Sequence, residues 1–158
     1  MRYADLFEDE QEPGTYVAAR FTSETMESLK RYQEEYKVPN SLDPEKFHTT
    51  IVYSRAAVEW TPAKDLEDEE VEAKGFTVFD SRDGQKCLVL LLDSEYLNTR
   101  FDLAMERGAT YDFPDYKPHI TLSYDIGHFD TKKLPVPDFP IVLSHEYAED
   151  LEKNWSAS

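Results

Sequence analysis

Hydrophobic positions along the chain change period several times, and each change marks an element. Tyr16–Phe21 (YVAARF) is a β-branched and aromatic run that reads as a strand. Thr22 or Ser23 then caps a helix in which Met26, Leu29, Tyr32 or Gln33, and Tyr36 step by three or four, ending before Pro39 and Asn40. Phe47–Tyr53 (FHTTIVY) returns to a strand pattern. Gly75–Phe79 and Lys86–Leu92 flank Asp80–Gly84, whose Asp-Gly pair predicts a hairpin. Asp93 or Ser94 caps a second helix with Leu97, Phe101 and Ala104 on its inner face and Gly108 as its terminator. Pro118–Tyr124 (PHITLSY) is a further strand. After a connector stiffened by Pro135, Pro137 and Pro140, a last strand runs from Ile141 to about Tyr147.

The order of these elements repeats. A shift of 71 residues lays Phe21-Thr-Ser-Glu24 on Leu92-Asp-Ser-Glu95, so strand end, cap and helix start coincide without a gap. The same shift lays Pro44-Glu-Lys-Phe-His-Thr-Thr-Ile-Val-Tyr53 on Asp115-Tyr-Lys-Pro-His-Ile-Thr-Leu-Ser-Tyr124, with Lys, His, Thr and Tyr identical. A duplicated strand-helix-strand unit follows, with halves of about 15–80 and 86–150 in a single α+β domain spanning 1–158.

Composition narrows the partners. At 158 residues and 40% hydrophobic, the chain suits one folded domain, not a disordered acidic tail. Seventeen Lys and Arg against 33 Asp and Glu give a net charge of −16, which disfavours long nucleic acids and anionic membranes as partners. The acids gather at Glu8–Glu12, in a segment 1–13 read as a flexible acidic N-terminus, and at Asp65–Glu72, read as solvated. The longest apolar run, Cys87–Leu92, is far short of the roughly 20 residues of a membrane helix, and no secretory signal opens the chain, so a cytosolic protein is expected. Cys87, the single cysteine, reads as a small buried thiol.

Candidate chemistry lies in the repeated decapeptides. Strand alternation puts Lys46, His48, Thr50 and Val52 on one face, with Phe47, Thr49, Ile51 and Tyr53 on the other. In the second copy Lys117, His119, Thr121 and Ser123 share a face. If the halves pack about a pseudo-twofold axis, two imidazoles and two hydroxyls meet at one cleft. With an ordinary pKa of about 6.5, one histidine can be neutral and the other protonated near neutral pH, as general base plus general acid requires. Phosphodiester cleavage uses both roles, with threonine hydroxyls donating to the non-bridging oxygens. The symmetric motifs leave open which histidine is base and which is acid. His128 and His145 lack a cysteine or paired-acid context at ligand spacing, so no metal site is expected.

The two His-x-Thr-x-hydrophobic motifs, Phe47-His-Thr-Thr-Ile51 and Pro118-His-Ile-Thr-Leu122, resemble those of the 2H phosphoesterase superfamily. Gly14-Thr-Tyr-Val-Ala-Ala-Arg20, Val38-Pro-Asn40, Lys46–Arg55 and Tyr116–Tyr124 are similar to the phage anti-CBASS phosphodiesterases, and the likeness covers roughly residues 14 to 155. It implies a bilobal fold of two pseudo-twofold-related antiparallel sheet lobes with outer helices and a central cleft. It also implies hydrolysis, without metal or cofactor, of the cyclic di- and trinucleotides with which bacteria trigger abortive infection. His48, Thr50, His119 and Thr121 match its catalytic positions. By analogy with ribonuclease chemistry, the ribose 2′-hydroxyl is expected to attack the adjacent phosphodiester and give a 2′,3′-cyclic phosphate.

Further residues carry two readings each. Tyr16 shares the face of small Ala18, where its ring either stacks on a base, as the resemblance also implies, or is an ordinary strand aromatic. Glu146 either orients a protonated catalytic histidine, as the resemblance implies, or is a solvated acid. Lys117 is a candidate phosphate contact or a surface lysine, and Trp155 covers a nucleobase or packs on the core. Rival functions are a 2H activity on RNA 2′,3′-cyclic phosphate ends or other small nucleotides, a sponge that binds cyclic nucleotides uncut, and an acidic mimic of DNA. Base and ring-size preference rest with loops 54–75 and 125–140, and the sequence leaves the oligomeric state open.

Overall fold

A computed structural model describes residues 13–81 and 83–151; Glu8 to Glu12 and Trp155, singled out above, lie outside them. Strand β1 (Gly14–Phe21) leads into helix α1 (Ser23–Glu35), then β2 (Thr49–Ser54), β3 (Glu70–Asp80), β4 (Lys86–Asp93), helix α2 (Glu95–Glu106), β5 (His119–Ser123) and β6 (Ile141–Leu151). Of the candidate caps, Thr22 and Ser94 are used: Thr22 Oγ1 accepts from the Thr25 amide at 3.3 Å and Ser94 Oγ from the Leu97 amide at 3.1 Å. Each cap is worth about 1 kcal/mol of helix stability. Gly108 follows α2 with φ of 97°, a conformation that glycine adopts without a Cβ penalty.

The strands form one antiparallel sheet in the order β2-β1-β6-β3-β4-β5. The expected pair of separate lobes is thus corrected: two three-stranded halves join at a seam where Glu70 pairs with Val142 and Val71 with Ile141. Val71 and Ile141 are buried, so backbone groups at the seam must find partners within the protein, and pairing supplies them. The seam also corrects the reading of Asp65–Glu72 as wholly solvated, because Glu70 and Glu72 are the outward residues of a strand whose inward residue is Val71. β6 likewise extends past Tyr147 to Leu151. Cys87 is half-buried, next to the turn of the hairpin and opposite Phe79, with its thiol 3.5 Å from the Tyr124 carbonyl.

The 71-residue shift carries one ladder onto the other. Val17 opposite Val52, Ala18 opposite Thr50 and Ala19 opposite Thr49 map onto Leu88 opposite Ser123, Val89 opposite Thr121 and Leu90 opposite Ile120, and both ladders slip at the same point. Each half also gives its last strand to the other, β3 pairing with β4 and β6 with β1.

One face of the sheet carries Val17, Ala19, Phe21, Leu88, Leu90, Leu92, Ile120 and Leu122, packed with Leu29 and Tyr32 of α1 and Leu97 and Ala104 of α2. Both helices therefore cover this face, and Ala18, Thr50, Val89 and Thr121 fall on the other. Although β2 and β5 are the ends of the sheet, they approach within 8 Å, Cα to Cα. The Leu42 amide donates to the Leu122 carbonyl at 2.9 Å, and Gln33 Nε2 donates to the same oxygen at 3.0 Å. Twist of the sheet and these bonds bring its ends together. No helix among the described residues is long and apolar enough to cross a membrane.

The β1–β2 ladder depends on Gly14, where a Cβ would lie 2.1 Å from the Ser54 carbonyl oxygen. Gly14→Ala is expected to destabilise the protein by about 1–3 kcal/mol, read as a lower midpoint in urea unfolding. An unchanged midpoint would contradict this close approach.

Candidate active site

His48 immediately precedes β2 and His119 opens β5, so the meeting of the two sheet ends brings the motifs together. Burial of the flanking Phe47 and Pro118 on the inner face turns each imidazole to the opposite side. The His48 Nδ1 lies 2.9 Å from the Lys46 carbonyl oxygen, and the His119 Nδ1 lies 2.8 Å from that of Lys117. A carbonyl only accepts, so Nδ1 carries the hydrogen in each neutral ring and Nε2 keeps the basic lone pair. Both copies thus present the same nitrogen for proton transfer.

The two rings are not electrostatically equal. Burial lowers the His119 pKa from its ordinary value, the Lys117 carbonyl offsets part of this, and the nearby His48 charge lowers it further. Phe79 contributes to this enclosure, its ring edge-on to His119 with centroids 5.4 Å apart. A neutral His119 is favoured where an exposed histidine is half protonated.

Thr50 and Thr121 lie on the histidine side of the sheet, across from Ala18 and Val89. Thr50 is held from two directions. Its hydroxyl lies 3.0 Å from the Tyr16 hydroxyl, and its carbonyl accepts a 2.8 Å bond from the Tyr116 hydroxyl. Tyr116 is itself fixed by stacking on Phe101 of α2, with ring centroids 4.3 Å apart and the planes parallel to within 1°. Arg20, opposite His145 in the ladder, donates to the carbonyls of Glu45 and Phe47. The carbonyl between them, that of Lys46, holds His48.

Arg20 and Tyr116 lie inside the motif segments, but spacing alone marks neither as a site residue. Arg20 matches Leu91 under the 71-residue shift, so the repeat gave no signal. Tyr116 belongs to the second motif yet supports a residue of the first, a contact visible only once the ends meet. Lys117 is exposed, and it is its carbonyl that holds His119.

Glu146 is placed elsewhere. Ala18 pairs with Tyr147 and Ala19 with Glu146, so Tyr147 shares the Thr50 side and Glu146 points to the helix side. Its carboxylate accepts two 2.8 Å bonds from Arg100, a 2.6 Å bond from the Tyr96 hydroxyl, and bonds from Trp60 Nε1 and the Ala63 amide at 3.0 and 3.1 Å. Burial by itself raises the Glu146 pKa, but these donors, Arg100 foremost, outweigh it and hold the carboxyl below its usual range. Neither motif histidine is among these partners: Glu146 clamps the 60–63 loop and α2 to β6, in place of the expected histidine-orienting role. Near this clamp, a hollow of about 810 Å³ is lined by Ala57, Glu59, Trp60, Thr61 and Arg107 and includes no motif residue. His145 Nδ1 bonds with the Ser144 hydroxyl at 3.0 Å, and among the described residues no three His, Cys, Asp or Glu are grouped to hold a metal ion.

The proximity of the two rings has a spectroscopic consequence. In an NMR titration His119 is expected to titrate below about 6.5, and to move upward in His48→Ala as the neighbouring charge is lost. A His119 that titrates at or above that value, or is indifferent to His48, would contradict this geometry.

Comparison with known proteins agrees with the motifs. The family described as Anti-CBASS protein Acb1 matches residues 13–158. The Anti-CBASS protein Acb1 of Enterobacteria phage T4 is 43% identical over 144 residues, covering 90% of this chain and 91% of that protein. Its counterpart in Salmonella phage S16 is 42% identical over 144 residues with the same coverage, 90% and 91%. In fold the chain is similar to apo LigT of E. coli, with a TM-score of 0.51, 13% identity and 87% of both chains covered. A crystal structure described as a phosphoesterase gives a TM-score of 0.50 at 11% identity, covering 90% of this chain and 100% of that one. These last two likenesses are of architecture, whereas the phage relatives match in sequence across nearly the whole length: the chain belongs to the Anti-CBASS protein Acb1 family.

Proposed function

We propose that the protein is a phosphodiesterase that cleaves cyclic di- and trinucleotide signals, such as 3′,3′-cyclic GMP-AMP, by two-histidine acid–base catalysis, and so disarms the bacterial defence for which its family is named. The observation that carries this reading is the pair of imidazoles at the meeting sheet ends, each fixed by a backbone carbonyl in the same tautomer. Sequestering a nucleotide needs no such pair, whereas cleaving one uses both.

His119, kept neutral by burial and by its neighbour, suits the base. Its Nε2 takes the proton of a ribose 2′-hydroxyl, and O2′ attacks the adjacent phosphorus. The bond from phosphorus to the 5′ oxygen breaks, and protonated His48 delivers its Nε2 proton to that oxygen. The products are a 2′,3′-cyclic phosphate and a free 5′-hydroxyl, with one proton moved from substrate to His119 and one from His48 to product. Thr50 and Thr121 donate to the non-bridging oxygens as charge develops there. Activity therefore rises with pH as His119 loses its proton, on a limb below about 6.5. The net charge of −16 is compatible with this substrate class, since exposed acids beyond a Debye length of about 8 Å are largely screened and a cyclic dinucleotide carries few phosphates.

Incubation with 3′,3′-cyclic GMP-AMP in EDTA, followed by chromatography, is expected to show a linear product. His48→Ala and His119→Ala should each slow its formation by about 10²-fold or more. The 2′-deoxy analogue should remain intact. Undiminished cleavage of that analogue would sink the 2′-hydroxyl step, and intact nucleotide recovered from a tight complex would make the protein a sponge instead of an enzyme.

A further inference from the structure

We infer that Tyr16 is a positioning residue for Thr50: its hydroxyl donates to Thr50 Oγ1, leaving the threonine's own hydrogen to point at the substrate phosphate. This rests on the phosphodiesterase reading and adds to it a device that acts through one half of the duplicated site only.

The two hydroxyl oxygens are 3.0 Å apart in a geometry that lets either donate, and we assign the direction from their relative acidity. A phenol is a far stronger acid than an aliphatic alcohol, so Tyr16 gives its hydrogen and Thr50 accepts. A hydroxyl that accepts one hydrogen bond becomes a better donor of the next, and its rotor is no longer free to point back into the protein. The ladder enforces the contact. Thr50 is opposite Ala18, whose small side chain leaves the space that the Tyr16 ring crosses to reach it. Tyr53 and Tyr147 pack on the Tyr16 ring, each with centroids 6.3 Å from it, and fix its direction. Burial raises the Tyr16 pKa, so the donor hydrogen stays in place through the pH range of an assay.

The second copy has no such device. Under the 71-residue shift Tyr16 falls on Cys87, while Ala18 and Thr50 fall on Val89 and Thr121. The Cys87 thiol is directed at the Tyr124 carbonyl, 3.5 Å away, and Val89 fills the place of Ala18. The two threonines are therefore unequal donors, with Thr50 the prepared one.

The test is steady-state cleavage of 3′,3′-cyclic GMP-AMP by the whole chain and by Thr50→Val, Tyr16→Phe, the double variant and Cys87→Ala. Tyr16→Phe keeps the ring and removes the hydroxyl. It is expected to lower kcat about tenfold with KM nearly unchanged, as loss of a hydrogen bond that acts only in the transition state requires. The double variant should be no slower than Thr50→Val, because without the threonine hydroxyl the tyrosine hydroxyl has nothing to orient. Cys87→Ala should retain full kcat. A slow Thr50→Val beside a fully active Tyr16→Phe, or additive losses in the double variant, would overturn the assignment of Tyr16 while leaving the phosphodiesterase reading intact. A wild-type chain that does not cleave, or a fully active Thr50→Val, would overturn the reading of the site and the assignment with it.

Discussion

The site depends on the register of two antiparallel ladders. In each, a small or β-branched residue stands opposite the motif threonine: Ala18 for Thr50 and Val89 for Thr121. Outside the one irregularity that both ladders share, side chains alternate, so a further slip of one residue would bury the threonine among the helices and bring an apolar side chain to the histidine face. The register is held by what the opposite face buries. Val17, Ala19, Leu88 and Leu90 pack beneath α1 and α2, and their burial is lost if the pairing shifts. Stability of the helix side thereby fixes which side chains stand on the other side.

That division also explains Glu146. Adjacent residues of β6 serve opposite faces, Tyr147 packing against the Tyr16 ring and Glu146 accepting bonds from α2 and the 60–63 loop. With five donors, its buried carboxylate is compensated, while removal of Arg100 would leave an unpaired charge in the interior, a change that typically costs about 3–5 kcal/mol. The clamp secures the helix side, on which the ladders rely, without touching either motif histidine.

Much of this was legible in the sequence because period and repetition are local signals. Both helices, their caps and the β3–β4 hairpin followed from spacing, and the repeat picked out His48, Thr50, His119 and Thr121 as a set. What spacing does not carry is pairing across long separations. The seam of Val71 with Ile141 made one sheet from two lobes, and Glu146 could be turned away from the histidines only by knowing which residue of β1 it faces. Residues that break the repeat carry no such signal. Tyr16 faces Cys87 and Arg20 faces Leu91 in the duplicated alignment, yet these two support the first motif. A duplication reveals what the halves share, and the structure reveals where one half has specialised.

On the proposed function, both imidazoles are locked with hydrogen on Nδ1 and offer Nε2 to one phosphate. Nitrogen-15 NMR of the histidine rings tests it most directly, recorded with and without a 2′-deoxy cyclic dinucleotide. Both His48 and His119 should show a protonated Nδ1, and both Nε2 resonances should move when the nucleotide is added. A ring in the other tautomer, or a nucleotide that perturbs one histidine and not the other, would mean that the two rings do not act as a pair on one phosphate.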